Sequence, residues 1–146
     1  MARSHDQIAT VSQSLAAISF LVPGYDEGLV FFRDGLGFDV VEDTDLGHGK
    51  RWVVVAPVGR RGAALILAVP SDRRQRERIG DQTGGRVGYF LHTTDFETDF
   101  RALRARGVKF VEKPRRERYG RVAVFVDPWG GKWDLIQPAD DDGDAA

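Results

Sequence analysis

Cysteine is missing from all 146 residues of the chain. This absence excludes a disulfide scaffold, a cysteine nucleophile, and thiolate-bound zinc or iron–sulfur sites. Long apolar runs are also missing: none approaches the roughly 20 residues that a membrane helix needs. The first 15 residues lack the apolar stretch of a signal peptide. A cytoplasmic location, with no membrane partner, is therefore expected.

The sequence has no large charge of either sign. Its 22 acidic and 21 basic residues nearly balance, and four of the acids lie among the last seven residues. The rest of the chain has a small, scattered basic excess, so no nucleic-acid partner is expected. A phosphate-binding loop is absent as well, because Gly84-Gly85 is not followed by Lys-Ser or Lys-Thr. With 42% hydrophobic and 10% aromatic residues, the chain can still bury a core.

What the sequence does contain is an internal repeat. When residues 20–42 are moved forward by 70 positions onto residues 90–112, six of 23 positions are identical, where composition alone would give about one or two. The identical pairs are Phe20/Phe90, Leu21/Leu91, Glu27/Glu97, Gly37/Gly107, Val41/Val111 and Glu42/Glu112. The chain is therefore built from two copies of one unit.

Each copy is predicted to contain a strand, a helix and three further strands. Apolar residues at helical spacing mark the helices, and short apolar runs bounded by turn residues mark the strands. Thr94 and Glu97 have the spacing of a capping box for the second helix. The predicted strands are Ala17–Val22, Phe38–Glu42, Arg51–Ala56 and Ala63–Val69, then Val87–Thr93, Val108–Glu112, Arg121–Val126 and Lys132–Gln137.

This pattern predicts an α+β fold of two βαβββ modules. One such module leaves an apolar sheet face uncovered, so we expect two sheets that face each other across a cleft. A single domain is expected over residues 15–138, with module one at 15–70, a solvated linker at 71–85 and module two at 86–138. Residues 1–14 are expected to be a flexible segment and residues 139–146 an acidic tail.

Three stretches carry a resemblance to a known family. They are Val22–Glu27 running into Phe31–Phe38, Arg106–Val108 at the end of the second helix, and Asp127–Gln137. With the paired βαβββ order, they resemble the vicinal oxygen chelate superfamily, which includes glyoxalase I, bleomycin-resistance proteins, fosfomycin-resistance enzymes and extradiol dioxygenases. The resemblance implies a glyoxalase-like cleft and a homodimer.

The resemblance also implies where metal ligands would lie. Metal-dependent members carry a His in the first strand of a module and a Glu in its last strand. Carried over to this chain, those positions fall on Ala17, Ile66, Gly88 and Asp134. Only Asp134 offers a donor atom, and a shift of one residue does not restore the set. No metal ligand and no cofactor are therefore predicted; a divalent ion is expected only if this alignment is displaced.

Two polar residues are the candidates for chemistry. His92 shares a strand face with Phe90 and could act as a base or a hydrogen-bond anchor. Asp134 interrupts an apolar strand, where a carboxylate costs energy unless it is paired. Two structural alternatives remain open: a histidine satisfied at a strand end, and an ion pair of Asp134 with Arg51 or Arg121.

Pocket walls are predicted from the aromatic residues on the strands. Aromatic side chains with a few polar atoms suit flat, partly apolar ligands. Aromatic residues on strands more often belong to the core, and this is the alternative for Trp52. The candidate substrate-binding residues are Ser19, Trp52, Ile66, Phe90 and Tyr119.

The preferred interpretation is a metal-independent small-molecule-binding protein of the glyoxalase/bleomycin-resistance type, with its ligand in an aromatic-lined cleft. One alternative is a glyoxalase- or dioxygenase-like enzyme (lyase, isomerase or oxygenase) with a rebuilt site around His92 and Asp134. The other is a regulatory or interaction module whose cleft is filled by its own side chains, which a cleft packed with Phe20, Phe90 and Trp52 would favour.

Overall fold

The computed structural model describes residues 10–59 and 61–140. The strands are β1 (Ala17–Leu21), β2 (Asp39–Gly47), β3 (Lys50–Ala56), β4 (Ala64–Ala68), β5 (Val87–His92), β6 (Lys109–Phe110), β7 (Arg115–Glu117), β8 (Gly120–Val126) and β9 (Lys132–Pro138). The helices are α1 (Tyr25–Leu29), which continues as a π-helix over Val30–Gly35, then α2 (Arg73–Arg76) and α3 (Phe96–Ala105). None of the described helices has the length and apolarity required to cross a bilayer.

The strands form two mixed sheets with the same topology. The first sheet has the order β1-β4-β3-β2, and the second has the order β5-β9-β8-β6 with β7 also paired to β8. In each sheet the opening strand is parallel to the last strand of its module, and the other pairs are antiparallel. The predicted α+β fold of two βαβββ modules is confirmed.

The second strand of the second module differs from the prediction. Val108–Glu112 was expected to be one strand, but β6 is limited to two residues and a separate strand, β7, follows after Pro114. Proline has no backbone N–H to donate to a ladder, so the chain leaves the sheet there and returns. The returning segment places charged residues beside β8, at the edge of the second sheet.

The cap of α3 also differs from the prediction. Asp95 caps the helix: its Oδ1 accepts a bond from the backbone N–H of Thr98 at 3.2 Å, and its Oδ2 accepts one from the Thr98 hydroxyl at 2.7 Å. The capping box expected at Thr94 is wrong. A carboxylate at this position also interacts favourably with the positive end of the helix dipole. The hydrogen bonds from Thr98 hold the pKa of Asp95 below its ordinary value.

Both modules share one core, built on the helix-bearing faces of the two sheets. Phe20 of β1 is 1% exposed, and its ring lies 5.1 Å from that of Phe32 in the π-helix. Across the module boundary, the centroid of the Phe20 ring lies 5.2 Å from that of Tyr89, 6.1 Å from that of Trp133 and 6.3 Å from that of Trp129. Within one chain, therefore, the sheets meet through their helix-bearing faces.

The linker between the modules covers the outer edge of the first sheet. The side-chain amide of Gln82 donates to the carbonyl of Leu21 at 3.1 Å, and its oxygen accepts from the N–H of Leu21 at 2.9 Å. These two bonds replace the neighbouring strand that β1 lacks on this side. The single turn of α2, capped by Asp72, precedes this contact.

Candidate functional site

Each sheet has a second face, turned away from the helices, which we call its open face. In the first sheet, Phe20 and Leu67 belong to the helix-bearing face, where a Cβ added to Gly28 of α1 would come within 2.9 Å of Leu67 Cδ1. Because side chains alternate along a strand, Ser19 and Ile66, which are partners in the β1–β4 register, lie on the open face. Trp52 lies on the same face.

The open face of the second sheet carries both polar candidates. Phe90, Asp134 and Val124 are register partners across β5, β9 and β8 and form one row. His92, Ile136, Val122 and Arg115 form the next row. His92 and Asp134 therefore share a face, as predicted. They lie on neighbouring strands in adjacent rows, so they are diagonal neighbours rather than direct partners.

Three aromatic side chains on or beside these faces are exposed. Phe90 is 60% exposed, Tyr119 51% and Trp52 41%. The alternative that Trp52 belongs to the core is wrong. Phe20 is buried on the opposite face of its sheet, so the alternative of a cleft filled by Phe20, Phe90 and Trp52 is also wrong.

The structure places the candidates in two groups. Ser19, Ile66 and Trp52 lie on the first sheet, and Phe90, His92 and Asp134 lie on the second. In the described part of the chain, no hydrogen bond, ion pair or ring contact joins the two groups. Tyr119 lies beside the second group, in the turn between β7 and β8.

Asp134 is a buried carboxyl group on the open face of the second sheet. The residue is 7% exposed, and its Oδ1 is fully buried without a hydrogen-bond partner. Burial raises the pKa of its carboxyl; Arg115 opposes that rise and Glu112 adds to it. A buried carboxyl oxygen without a hydrogen-bond partner costs free energy, and no hydrogen bond in the described part of the chain offsets that cost.

The alternative of an ion pair between Asp134 and Arg51 or Arg121 is wrong. Arg51 binds Asp43 and Asp26, at 2.8 and 2.9 Å, and its guanidinium lies over the Tyr25 ring. Arg121 binds Glu97 at 2.8 Å and lies over the Phe96 ring. The two arginines hold equivalent positions, 70 residues apart, and each ties the start of a strand to the first turn of the helix in its own module.

A charged segment that the sequence reasoning missed borders Asp134. Residues 112–119, here called the strap, lie between β6 and β8 and contain β7. Arg115 of the strap forms ion pairs with Glu112 and with Glu117, the latter at 2.7 Å, and its guanidinium lies 3.5 Å from the Tyr119 hydroxyl. The signal in the sequence was the spacing of acids at 112 and 117 around Arg115, just after Pro114.

The positions where the family holds a metal do not fit one here. Ala17 and Ile66 lie on the open face of the first sheet and Asp134 on that of the second, while Gly88 falls in the register shift of β5 between Val87 and Tyr89. Ala17, Ile66 and Gly88 have no donor atom. Among the described residues there is no group of three His, Cys, Asp or Glu side chains that could hold an ion. These residues therefore provide no set of ligands for a metal-centred reaction.

A cavity of about 720 Å³ lies away from all of these candidates. It is an open groove between the π-helix, the end of α3 and the turn from β8 to β9. Its walls include Phe31, Val108, Trp129, Arg106 and Lys109. None of the predicted site residues lines it.

The match to a family model identifies the class of protein to which the chain belongs. Residues 14–135 match the model of the Glyoxalase/Bleomycin resistance protein/Dioxygenase superfamily, and the chain belongs to this superfamily. Solved structures agree with this assignment. The crystal structure of TnmS3, described as an antibiotic binding protein from Streptomyces sp. CB03234, is 30% identical with a TM-score of 0.70, covering 88% of this chain and 98% of that one.

Further relatives place the chain among similar small proteins. An uncharacterized protein of Shewanella frigidimarina is 45% identical over 128 residues, which is 87% of this chain and 95% of the relative. A glyoxalase/bleomycin resistance protein from Streptomyces sp. CB03234 is 32% identical with a TM-score of 0.66, covering 85% of this chain and all of that one. UcmS2 is 27% identical with a TM-score of 0.73, covering 86% and 98%.

Proposed function

We propose that the protein binds an aromatic small molecule, without a metal ion, on the open faces of its sheets. The observation that carries this proposal is the exposed ring of Phe90 directly beside the buried, unpartnered carboxyl of Asp134. An exposed ring next to an unmatched polar group is the combination that small-molecule sites use for affinity and orientation. The similarity to TnmS3, named as an antibiotic binding protein, supports the same function.

The residues on the open faces contribute to binding in different ways. Phe90 and Trp52 offer flat apolar area to a ring system, while Asp134 supplies a hydrogen-bonding group that fixes its orientation. Ser19 and His92 are exposed polar side chains on the same faces and add hydrogen bonds at the periphery. Ile66 and Tyr119 extend the walls of the site. The chemistry needed is recognition alone, which requires no ion.

We also propose that the protein is a cytoplasmic homodimer in which a second copy covers the open faces. Within one chain the two candidate groups lie apart, so a cleft enclosed on both sides needs a second sheet from a partner. Sedimentation equilibrium is expected to give twice the 16.2 kDa chain mass. Replacing Trp52 and Phe90 together by serine is expected to shift the protein toward monomer, and a wild-type monomer at 100 micromolar would contradict the dimer.

Phe90→Ala is expected to weaken ligand binding about tenfold or more, because a ring at the centre of a site contributes well over 1 kcal/mol. Protein dialysed against EDTA is screened against aromatic metabolites and antibiotics by NMR, and the dissociation constant of the best ligand is measured. Val58→Ala, which trims a residue that is 76% exposed in the turn after β3, is the control and should leave binding unchanged.

Metal independence is tested in the same titration. The dissociation constant is expected to be equal before and after EDTA treatment, and elemental analysis of the untreated protein should find less than about a tenth of an equivalent of any transition metal. Binding or turnover that disappears with EDTA would contradict the proposal. That result would favour the second candidate, a glyoxalase- or dioxygenase-like enzyme, for which the supporting observation is that His92 and Asp134 share one face.

A further inference from the structure

We propose that the groove on the helix side of the molecule is a second binding site, and that its ligand is a small zwitterion with an aromatic body, such as a free aromatic amino acid. The groove is the cavity of about 720 Å³ between the π-helix, the end of α3 and the turn from β8 to β9, a volume typical of small-molecule sites. None of the predicted site residues lines it, so the proposal does not depend on the function proposed for the open faces. It rests on an aromatic wall, on two unpaired cations and on carboxylates across the groove from them.

The aromatic wall of the groove is formed by Trp129 and Phe31. The centroids of the two rings lie 5.9 Å apart in an edge-to-face arrangement, and Trp129 is half-buried. The backbone N–H of Trp129 donates to Oδ1 of Asp127 at 3.0 Å, and a Cβ added to Gly80 would collide with the Trp129 carbonyl, so the linker packs directly against this turn. A ring that is fixed before the ligand arrives loses little freedom on binding. This wall is therefore suited to contact the ring of a ligand.

Arg106 and Lys109 carry the positive charge of the groove. Arg106 follows the last residue of α3, and Lys109 begins β6. The Nε of Arg106 donates to the carbonyl of Gly35 at 2.8 Å, which holds the guanidinium between the ends of the two helices. Neither cation forms an ion pair within the described part of the chain. A guanidinium with free N–H groups, beside an ammonium group, is suited to bind a carboxylate.

Carboxylates lie on the side of the groove that the first helix forms. Glu27, Phe31 and Asp34 all line the groove, so acidic groups border the aromatic wall on this side. Arg33 binds Asp34 at 2.8 Å, whereas Glu27 has no ion pair with any described residue. An exposed carboxylate that no cation neutralises attracts an ammonium group.

The charges of the groove balance as a whole. Besides the four charged groups on the two sides, Arg33 adds a positive charge and the buried Asp127 a negative one, its oxygens already accepting bonds from Trp129, Gly131 and Trp133. The groove thus has three charges of each sign, the positive Arg33, Arg106 and Lys109 and the negative Glu27, Asp34 and Asp127. A ligand with a single charge gains at one side and loses at the other, whereas a zwitterion gains at both.

The test compares three probes that share an indole ring and differ in charge. At pH 7 tryptophan is a zwitterion, tryptamine lacks its carboxylate and indole-3-propionate lacks its ammonium group. Each probe is titrated into the full-length protein and followed by the backbone amide signals of Gly107, Val108 and Gly130, with those of β5 and β9 as the reference for the open faces. Because ion pairs at exposed sites each contribute little, tryptophan is expected to bind about fivefold more tightly than either of the other probes.

Two substitutions assign the preference to the two sides of the groove. Lys109→Gln removes a cation, so the advantage of tryptophan over tryptamine should fall to about twofold or less. Glu27→Gln removes the unpaired carboxylate, so the advantage over indole-3-propionate should fall in the same way. Lys132→Gln and Glu77→Gln make the same chemical changes at exposed residues outside the groove and should preserve both advantages. The amide spectrum of each variant establishes that it is folded.

The possible results separate the groove from the open faces. Equal affinity for the three probes, or a preference that survives both substitutions in the groove, would overturn the assignment of a zwitterion. Signal changes confined to β5 and β9 would place the ring on the open faces and overturn the groove as a site, as would the absence of tryptophan binding at about 20 mM. The function proposed for the open faces is tested separately, by Phe90→Ala.

Discussion

Phe20→Ala is expected to lower the free energy of unfolding by about 3–5 kcal/mol, the usual cost of removing a buried phenylalanine. The ring is 1% exposed and contacts aromatic side chains of both modules, namely Phe32, Tyr89, Trp129 and Trp133. The cavity would therefore lie where the modules meet. Urea denaturation, followed by tryptophan fluorescence and by far-UV circular dichroism, measures the loss.

Ile18→Ala is the matched control for Phe20→Ala. Ile18 is two residues earlier on the same strand and is 46% exposed, so truncating it should cost much less, about 1 kcal/mol. In Phe20→Ala the two probes should still report one transition, because the modules share one core. A loss below about 1 kcal/mol, or a transition confined to the first module, would contradict the shared core.

Asp134→Leu is expected to change stability in the opposite direction, raising the free energy of unfolding by about 1–3 kcal/mol. The substitution removes a buried carboxyl that has no partner for its Oδ1 and places an apolar side chain beside Val124 and Ile136. The same change should abolish binding of the ligand.

The pH dependence of stability distinguishes Asp134 from the other aspartates. Burial raises its pKa in the folded state, so the unfolded chain releases the proton first as pH rises. The contribution of Asp134 to stability is therefore highest below about pH 4 and is lost as pH rises through the folded pKa. The pKa values of Asp43 and Asp95 are lowered, and their contributions are lost as pH falls.

Thermal melts between pH 3 and pH 8 measure these effects. Asp134→Leu should gain most over the wild type near neutral pH and least near pH 3, where the wild-type carboxyl is protonated in both states. Asp81→Asn, at an exposed residue of the linker, is the control and should follow the wild-type curve. A leucine variant that is less stable than the wild type at pH 7 would show that the carboxyl has a stabilising partner.

The repeat and the hydrophobic periodicity were sufficient to predict the two βαβββ modules. Strands such as Lys132–Pro138 and Gly120–Val126 were predicted to within one residue at each end, because their apolar runs are bounded by turn residues. The helix from Phe96 was recognisable from its spacing. Its cap was not, since Thr94 and Asp95 are both good capping residues and only the backbone geometry selects Asp95.

The strap shows what local pattern could not predict. Pro114 indicated an interruption, but the return of the chain as β7, and the shared ion pairs of Arg115, depend on pairing with β8. The six-residue π-helix was missed for a similar reason. Its Phe31 and Phe32 both contact Trp133 of the other module, so its conformation is set by contacts with residues distant in the sequence.

By itself, the sequence determined the fold class and which residues share a strand face, because alternation along a strand is a local property. It placed His92 with Phe90 on one face of their strand, whereas the grouping of these two with Asp134, and of Trp52 with Ser19 and Ile66, follows from the register between strands. The tertiary structure decided which face of each sheet is buried, because that depends on packing between modules 70 residues apart. That packing buries Phe20, leaves Phe90 and Trp52 exposed, and leaves the carboxyl of Asp134 without a partner from its own chain.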